Sequence, residues 1–248
     1  LGWVGEGAVA SFSRLSLDLE SFEFSKLTSL IAISNELARF GDPDSERTIE
    51  QALSRSIIAT QDSQFLDPSV AEIAGVGPAS ITNGIPAIAA SGATLAAFRT
   101  DARQAVQAIQ ANGGTLEEPY WILSPIQLTA LALLDATVVD ADAQCIAGIP
   151  YLTTTISALR NGDSPDSQRI VLIDAAQVLW ADGGLELDTS RQATVMLDTG
   201  PDSPETASSV PTSLWQRGMT GIRAIRYCRW EPRSAGVGAM ITGASYGF

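Results

Sequence analysis

Residues Gly41 to Pro68, GDPDSERTIEQALSRSIIATQDSQFLDP, contain the pattern that decides the fold. Asp42 can cap a helix, and Pro43 suits the first turn of one. Apolar residues then recur at helical spacing on one face, at Ile49, Leu53 and Ile57. A helix over residues 43–66 would be roughly 35 Å long at about 1.5 Å per residue, the full width of a small domain. We therefore expect a spine helix over which the other elements pack.

The composition excludes several classes of protein. The 248 residues are 45% hydrophobic and 17% charged, which is enough to bury a core in one large domain or two modest ones. The net charge of -13 argues against a protein that grips phosphate backbones over its general surface. With no histidine and two distant cysteines, Cys145 and Cys228, we expect no metal, no cofactor and no disulfide framework. No apolar run approaches the ~18–20 residues that span a bilayer, so no membrane partner is expected.

The patterns on either side of the spine helix predict an α+β fold. Before it, Leu15–Leu19 alternates with polar residues and 26–34 is extended and largely apolar, so both segments predict strands. After it, a loop rich in proline and glycine leads to a second helix over residues 95–109 and a third that begins at Ser124, with Gln127 placed for a capping box. Short strands are predicted in a compact α+β subdomain, at Pro119–Leu123, Cys145–Ile149, Arg169–Ile173, Leu185–Leu187 and Gln192–Leu197. Residues 222–230 predict a further strand, and 236–246 could return to the sheet.

Two motifs resemble catalytic turns, but neither has the partner its chemistry requires. Residues 243–247 match the G-x-S-x-G pattern of a hydrolase nucleophile, yet the chain has no histidine to take the serine proton. A strand ending in Asp198-Thr199-Gly200 resembles the active-site turn of aspartic proteases, which need two carboxylates sharing a proton. Only one such turn is present, so an aspartic protease using Asp198 would need a homodimer. We expect a protein that is not an enzyme and keep the protease as an alternative.

Arginines are concentrated near the end of the chain. A third of all basic residues lie within 17 positions, at Arg217, Arg223, Arg226, Arg229 and Arg233. On a strand they would project from both faces and would need carboxylate partners. Three interpretations stay open at this point: ion pairs within the chain, ion pairs between subunits and, third, contact with nucleic acid.

The order of motifs resembles one known family. Trp3-Val4-Gly5-Glu6-Gly7, an alternating strand, and Ile33-Ser34-Asn35-Glu36-Leu37 precede the long helix. Ser213-Leu214-Trp215-Gln216 and a strand from Ile222 to Trp230 follow near the end. In this order the motifs are similar to the major capsid proteins of tailed bacteriophages, which have the Hong Kong ninety-seven fold. The resemblance covers nearly the whole chain.

The resemblance implies an architecture of three parts. Residues 1–24 would be the returning half of an extended loop that reaches across a neighbouring subunit. Residues 25–86 and 206–232 would form a peripheral subdomain with the spine helix, and 87–205 and 233–248 an axial subdomain. It also implies candidates for subunit interfaces, which are Trp3, Glu6, Arg217, Arg223, Arg226 and Arg229.

As a function, the resemblance implies a structural coat subunit. It would assemble with copies of itself, as pentamers and hexamers, into the icosahedral head of a phage or prophage, in the bacterial host cytoplasm. Scaffold, portal and maturation protease are possible partners, and DNA would be enclosed without sequence-specific binding. A shell of the encapsulin type, a cellular nanocompartment, is the alternative within the same fold.

The sequence departs from the family pattern in two respects. The usual N-terminal arm and the outgoing half of the extended loop do not precede Leu1, which suggests a fragment or a processed product that does not assemble unaided. Some members cross-link a loop lysine to a neighbour. Lys26 lies past the loop, so that chemistry is not expected here.

Overall fold

The computed structural model describes residues 24–36, 43–135, 137–140, 142–156, 159, 168–197 and 210–247. The helices are α1 (Pro43–Leu66), α2 (Leu95–Ala111) and α3 (Pro125–Leu134). The strands are β1 (Ser25–Ser34), β2 (Ala87–Ala89), β3 (Pro119–Leu123), β4 (Val139–Asp140), β5 (Cys145–Ile146), β6 (Ile149–Thr153), β7 (Gln168–Asp174), β8 (Val178–Ser190), β9 (Thr194–Met196), β10 (Pro211–Ser213), β11 (Met219–Pro232) and β12 (Gly238–Ala244). The expected cap at Asp42 and the expected strand at 15–19 lie outside the described residues.

The spine helix packs on a three-stranded antiparallel sheet. The sheet has the order β1-β11-β8, and the start of β11 lies opposite the end of β1, with Met219 facing Ser34. Leu53 and Ile57 of α1 are each 4% exposed, and both contact the fully buried Ala224 of β11. The helix runs from Pro43 to Leu66, as its periodicity predicts, and two of the three predicted apolar positions are shown to face the sheet.

A seven-stranded mixed sheet forms the second layer, in the order β2-β12-β7-β3-β6-β5-β4. Helix α2 packs on this sheet through Phe98, Ala105 and Ile109, each at most 1% exposed. The core continues through the three adjacent strands β3, β7 and β12, and it contains Trp121, Leu172 and Ile241. The predicted return of 236–246 to the sheet is confirmed, since β12 lies between β2 and β7.

Local signals explain where α2 and α3 begin. The Thr94 hydroxyl accepts the Ala97 N–H at 3.3 Å, and the Ser124 hydroxyl accepts the Gln127 N–H at 3.3 Å. After α2 the chain must pass very close to the turn at residues 235–237. A Cβ on Gly114 would collide with the Gly236 carbonyl oxygen, and one on Gly236 would collide with the Gly114 nitrogen. Only glycine fits at both positions.

Three sequence expectations need correction. The strand predicted at Gln192–Leu197 is the three-residue β9, which pairs with β10 in a separate two-stranded sheet and not with the mixed sheet. The predicted short strand Leu185–Leu187 is the middle of β8, a strand of 13 residues that pairs with β11 beneath the spine helix, not with the mixed sheet. Gln127 does not turn back to complete a capping box; its side-chain amide donates to the Ala244 carbonyl at 2.5 Å. That bond ties α3 to the end of β12, because a buried amide gains more from a buried acceptor than from the exposed helix end.

An aromatic and aliphatic cluster joins the two layers. Trp180 and Trp230 face each other across β8 and β11 with their rings stacked 5.6 Å apart, and Phe65 packs edge-on against Trp230 at 5.4 Å. Below them, Leu66 at the end of α1 contacts the core of the mixed sheet through Val171 and neighbouring residues. The spine helix therefore ends in the junction between the two layers.

Candidate assembly surface

Strand β11 carries three of the five predicted arginines on the three-stranded sheet. Arg223 lies opposite Asp188 in the strand register, and its guanidinium donates to that carboxylate at 2.7 Å. Arg226 donates to Asp182 at 2.9 Å, and the strand register shifts just after it, between Tyr227 and Cys228. Both acids belong to β8, so these ion pairs bridge neighbouring strands of one chain.

Arg229 is the most enclosed of the three paired arginines. Its side chain is 15% exposed, and it donates to Glu231 at 2.5 Å and to Glu72 at 2.9 Å. The hydrogen bond to Glu231 raises the pKa of the Arg229 guanidinium, and Glu72 adds to the effect. Glu72 lies 157 residues earlier in the chain, in the loop after the spine helix. One guanidinium here binds two carboxylates.

Three interpretations were open for the five arginines near the end of the chain. The structure decides between them for three of the five. Arg223, Arg226 and Arg229 pair within the chain, as the first interpretation states. The backbone N–H of Gly184, followed by Arg226, lowers the pKa of Asp182, which keeps this acid ionised as a partner. Arg223 remains half-exposed, at 50%, so it can also contact a neighbouring molecule.

Arg217 differs from these residues. It lies in the turn between β10 and β11, is exposed, and forms no ion pair within the part of the chain that the structure describes. Trp215, in the same turn, is 74% exposed. The turn itself is well anchored, since Leu214 is 1% exposed and its carbonyl accepts the Met219 N–H at 2.8 Å. Trp215 and Arg217 thus project from a fixed turn, which we call the tip.

An apolar pocket lies near the other end of β11. It has a volume of about 250 Å³ and opens between the start of β1, the last turns of α1 and the loop at residues 70–78. Its walls include Leu27, Ile73, Val76, Cys228 and Trp230. Burial raises the pKa of the Cys228 thiol. One wall carries Gln61, whose side-chain oxygen is buried and accepts no hydrogen bond from the described residues.

The remaining sequence candidates fall into two groups. Trp3, Glu6 and Asp198 lie outside the described residues, so their predicted roles stay predictions. The G-x-S-x-G match falls on the end of β12 and the turn after it. Among the described residues, no group of histidine, cysteine or acidic side chains could hold a metal ion, and no helix is long and apolar enough to cross a membrane.

Sequence reasoning missed two exposed apolar features. Trp215 was noted only as part of a motif, and Leu185 and Leu187 on the edge strand β8 are 49% and 56% exposed. An isolated tryptophan beside Leu214 has the sequence signature of a core residue. The surrounding Gln216, Arg217 and Gly218, which predict a turn, were the available signal that it projects from the surface.

A long helix laid across a narrow antiparallel sheet and ending in the junction with a second, mixed sheet is the arrangement of the Hong Kong ninety-seven fold. The chain is 30% identical over 253 residues to the "Capsid polyprotein" of Pseudomonas phage PAJU2, an alignment that includes 99% of the chain and 37% of the polyprotein. The chain thus spans little more than a third of that relative's length. No protein-family profile matches the sequence.

Solved structures agree with this assignment. Mycobacterium phage Bobi gives a TM-score of 0.63 at 13% identity, over 97% of this chain and 80% of that one. The capsid of an empty GTA particle gives 0.59 at 14% identity, over 98% and 80%. The SrpI encapsulin of Synechococcus elongatus gives 0.54 at 10% identity, over 90% and 74%. The predicted Hong Kong ninety-seven fold is confirmed, and so is the resemblance of the chain to a phage capsid protein.

Proposed function

We propose that this chain is the shell-forming part of a major capsid protein, which assembles with copies of itself into the icosahedral head of a tailed phage or prophage. The observation that carries the proposal is the 30% identity to a phage capsid polyprotein along 99% of this chain. The fold supports it independently, because the similarity to solved phage structures extends over nearly the whole chain.

The physical requirements of a shell subunit are compatible with the surface of this chain. A closed shell needs several distinct contact edges, each modest alone and strong only in combination. Strands β1 and β8 are the two outer strands of the three-stranded sheet, and β8 carries the half-exposed Leu185 and Leu187. Edge strands with apolar side chains pair readily with another chain unless something covers them. In the proposed head, neighbouring subunits cover them.

The same proposal is compatible with the net charge of the chain and names the partners expected for it. A net charge of -13 disfavours tight binding to DNA, which suits a container that encloses DNA and later releases it. Subunits would gather as pentamers and hexamers in the host cytoplasm and remain in the virion capsid. Scaffold, portal and maturation protease belong to the proposal as partners. The role is structural, without catalysis.

The encapsulin alternative has weaker support. The encapsulin structure matches this chain with a lower TM-score than the phage structures, 0.54 against 0.63, and covers less of it. A curated relative that shares 30% identity with this chain is a phage capsid polyprotein. We therefore favour the phage head over the nanocompartment.

Expression of the complete gene product, with its scaffold if one is encoded beside it, tests the proposal. We expect uniform closed particles by electron microscopy. Particles from induced host cells should protect DNA from nuclease, whereas a nanocompartment would contain a cargo protein instead. A complete, cooperatively folded product that stays monomeric on a sizing column under all these conditions contradicts the proposal.

A further inference from the structure

Two Asn-Gly pairs among the described residues can undergo the same spontaneous reaction. They are Asn83-Gly84, in the loop after the spine helix, and Asn112-Gly113, at the end of α2. The backbone nitrogen of a glycine can attack the side-chain carbonyl carbon of the preceding asparagine, because glycine has no side chain to hinder the approach. Both pairs are exposed, so solvent reaches each of them. The structure around each pair therefore decides which one reacts faster.

The side chains of the two asparagines are held alike. The Asn83 amide donates to the Pro68 carbonyl at 2.8 Å, and the Asn112 amide donates to the Ala108 carbonyl at 2.7 Å. These two bonds have the same donor, the same kind of acceptor and nearly the same length. They do not distinguish the two sites.

The attacking nitrogens differ. The Gly113 N–H donates to the Gln110 carbonyl at 3.1 Å. The Gly84 N–H makes no hydrogen bond within the part of the chain that the structure describes. A hydrogen bond that must be broken before the nitrogen can attack slows the reaction roughly 2- to 10-fold. The nitrogen of Gly84 is therefore the more reactive of the two.

The backbone at Asn112 also opposes the reaction. Its ψ angle is 13°, so the Gly113 nitrogen nearly eclipses the Asn112 nitrogen and lies away from Cβ. Closing a ring through Cβ would require a rotation of about 120° about the Cα–C bond, since the substituents of Cα are tetrahedral. That rotation would break the bonds from the N–H groups of Gly113 and Gly114 to the end of α2.

We propose that Asn83 is a site of spontaneous deamidation in the folded protein and that Asn112 is protected. The Gly84 nitrogen bonds to the side-chain carbonyl carbon of Asn83, and its proton ends on the amide nitrogen, which leaves as ammonia. Water then opens the cyclic imide at either carbonyl and gives aspartate or isoaspartate. One water is consumed, one ammonia is released, and nothing is oxidised or reduced. The inference goes beyond the proposed coat function and does not depend on it.

Conversion of Asn83 would loosen the loop that follows the spine helix. A carboxylate has no N–H, so the bond to the Pro68 carbonyl would be lost and a negative charge would face that oxygen. The spine helix itself would stay capped, because the hydroxyl groups of Ser80 and Thr82 still donate to its last two carbonyls at 2.7 and 3.0 Å. The effect is therefore local to the loop.

Mass spectrometry of the purified chain can follow the two sites separately. Cleavage after arginine places them on different peptides, residues 56–99 and 104–160, and each of these contains a single asparagine. A third Asn-Gly pair, at 161–162, lies outside the described residues and falls on peptide 161–169. Each conversion adds about 1 Da to its peptide. Mildly alkaline pH is the condition of choice, because the attacking nitrogen must lose a proton.

In the folded chain we expect Asn83 to convert at least about fivefold faster than Asn112. Equal rates, or faster conversion of Asn112, would overturn the proposal. In urea the two pairs should react at rates within about twofold of each other, because only the local sequence then acts. The same preference for Asn83 in the unfolded chain would show that the fold is not its cause, and it would overturn the proposal too.

Asn83→Gln identifies the reacting residue. Glutamine keeps an amide donor, but its extra methylene moves the carbonyl carbon out of the five-membered ring, so the mass increase on peptide 56–99 should disappear. An increase that persists would come from Gln61 or Gln64 and would count against Asn83.

Asn83→Asp tests the consequence for the loop. The Val70 N–H donates to the Asp67 carbonyl at 3.0 Å, in the turn that contains Pro68. Its hydrogen exchange should be faster in Asn83→Asp than in the wild type, and Asn83→Gln should resemble the wild type. Unchanged exchange in Asn83→Asp would overturn the inferred loosening.

Discussion

Removing one hydroxyl group from Tyr246 should destabilise the mixed-sheet layer substantially. Tyr246 is fully buried, and its hydroxyl donates to the carboxylate of Asp101, itself fully buried, at 2.6 Å. The only other bond to that carboxylate among the described residues is the Ser91 N–H, at 2.9 Å on the same oxygen. In Tyr246→Phe the ring still packs edge-on against Phe98, so apolar burial is retained and the loss isolates the hydrogen bond.

The expected magnitude is about 1.5–3 kcal/mol, the usual range for a hydrogen bond to a charged group in a site where water cannot replace the donor. Urea unfolding at neutral pH, followed by near-ultraviolet circular dichroism, should show a lower midpoint with an unchanged slope. Tyr151→Phe is the matched control, because Tyr151 is half-buried in the same layer and its hydroxyl has no described partner; its change should stay within about 0.5 kcal/mol.

The pH dependence gives a second signature of the same bond. Burial, together with the bond to Asp101, raises the pKa of Tyr246 above its ordinary value of 10.0. Above that pH the unfolded chain releases the proton while the folded chain keeps it, so stability falls by about 1.4 kcal/mol per pH unit. Tyr246→Phe should remove this alkaline loss. A variant that matches the wild type in both midpoint and alkaline slope would refute the reasoning.

Three further predictions address the spine helix, the paired arginines of β11 and an acid-sensitive site. Leu53→Ala should cost about 2–3 kcal/mol in urea unfolding, because the side chain is 4% exposed in a small cluster, whereas Ile58→Ala, at a position 51% exposed, should be nearly neutral. Arg229→Ala should cost about 1–3 kcal/mol by leaving Glu231 unpaired, while Arg223→Ala should cost less than about 1 kcal/mol and lose even that effect in 1 M salt. Burial pushes the pKa of Asp174 upward, but the hydrogen bonds from the Glu118 N–H and the Thr115 hydroxyl outweigh it, so the pKa is lowered overall. The stability from Asp174 is therefore present above pH 3.8 and lost as the pH falls through its folded pKa; Asp174→Asn should flatten this part of an acid titration, and an unchanged acid limb would contradict the assignment.

The sequence predicts local structure well where the signal is local. The spine helix has the predicted bounds because Pro43 restricts its start and a helical period continues to Leu66. Ser124 marks the start of α3 for the same kind of reason, a side chain that satisfies the first free N–H groups.

The same local reasoning could not predict which residues pair when they are far apart in the sequence. Alternation in β8 indicates a strand but does not say which strand it pairs with, so Leu185–Leu187 was assigned to the wrong sheet neighbours. The pairing of Arg229 with Glu72 joins residues 157 positions apart, and no spacing rule connects them. The tip and the pocket were missed for a related reason, because exposure of an apolar side chain depends on what the rest of the fold leaves uncovered.

Because β1 pairs with β11, the three-stranded sheet can form only after most of the chain has been synthesised. Ser34 pairs with Met219, and just beyond them Asn35 bonds to Thr220 at 2.6 Å, across 185 residues of sequence. A ribosome adding 5–20 residues per second needs roughly 10–40 s to cover that distance. During this interval the apolar face of the spine helix has been made and its sheet has not. In a nascent chain, that face therefore stays uncovered until β11 has been made, unless another molecule shields it.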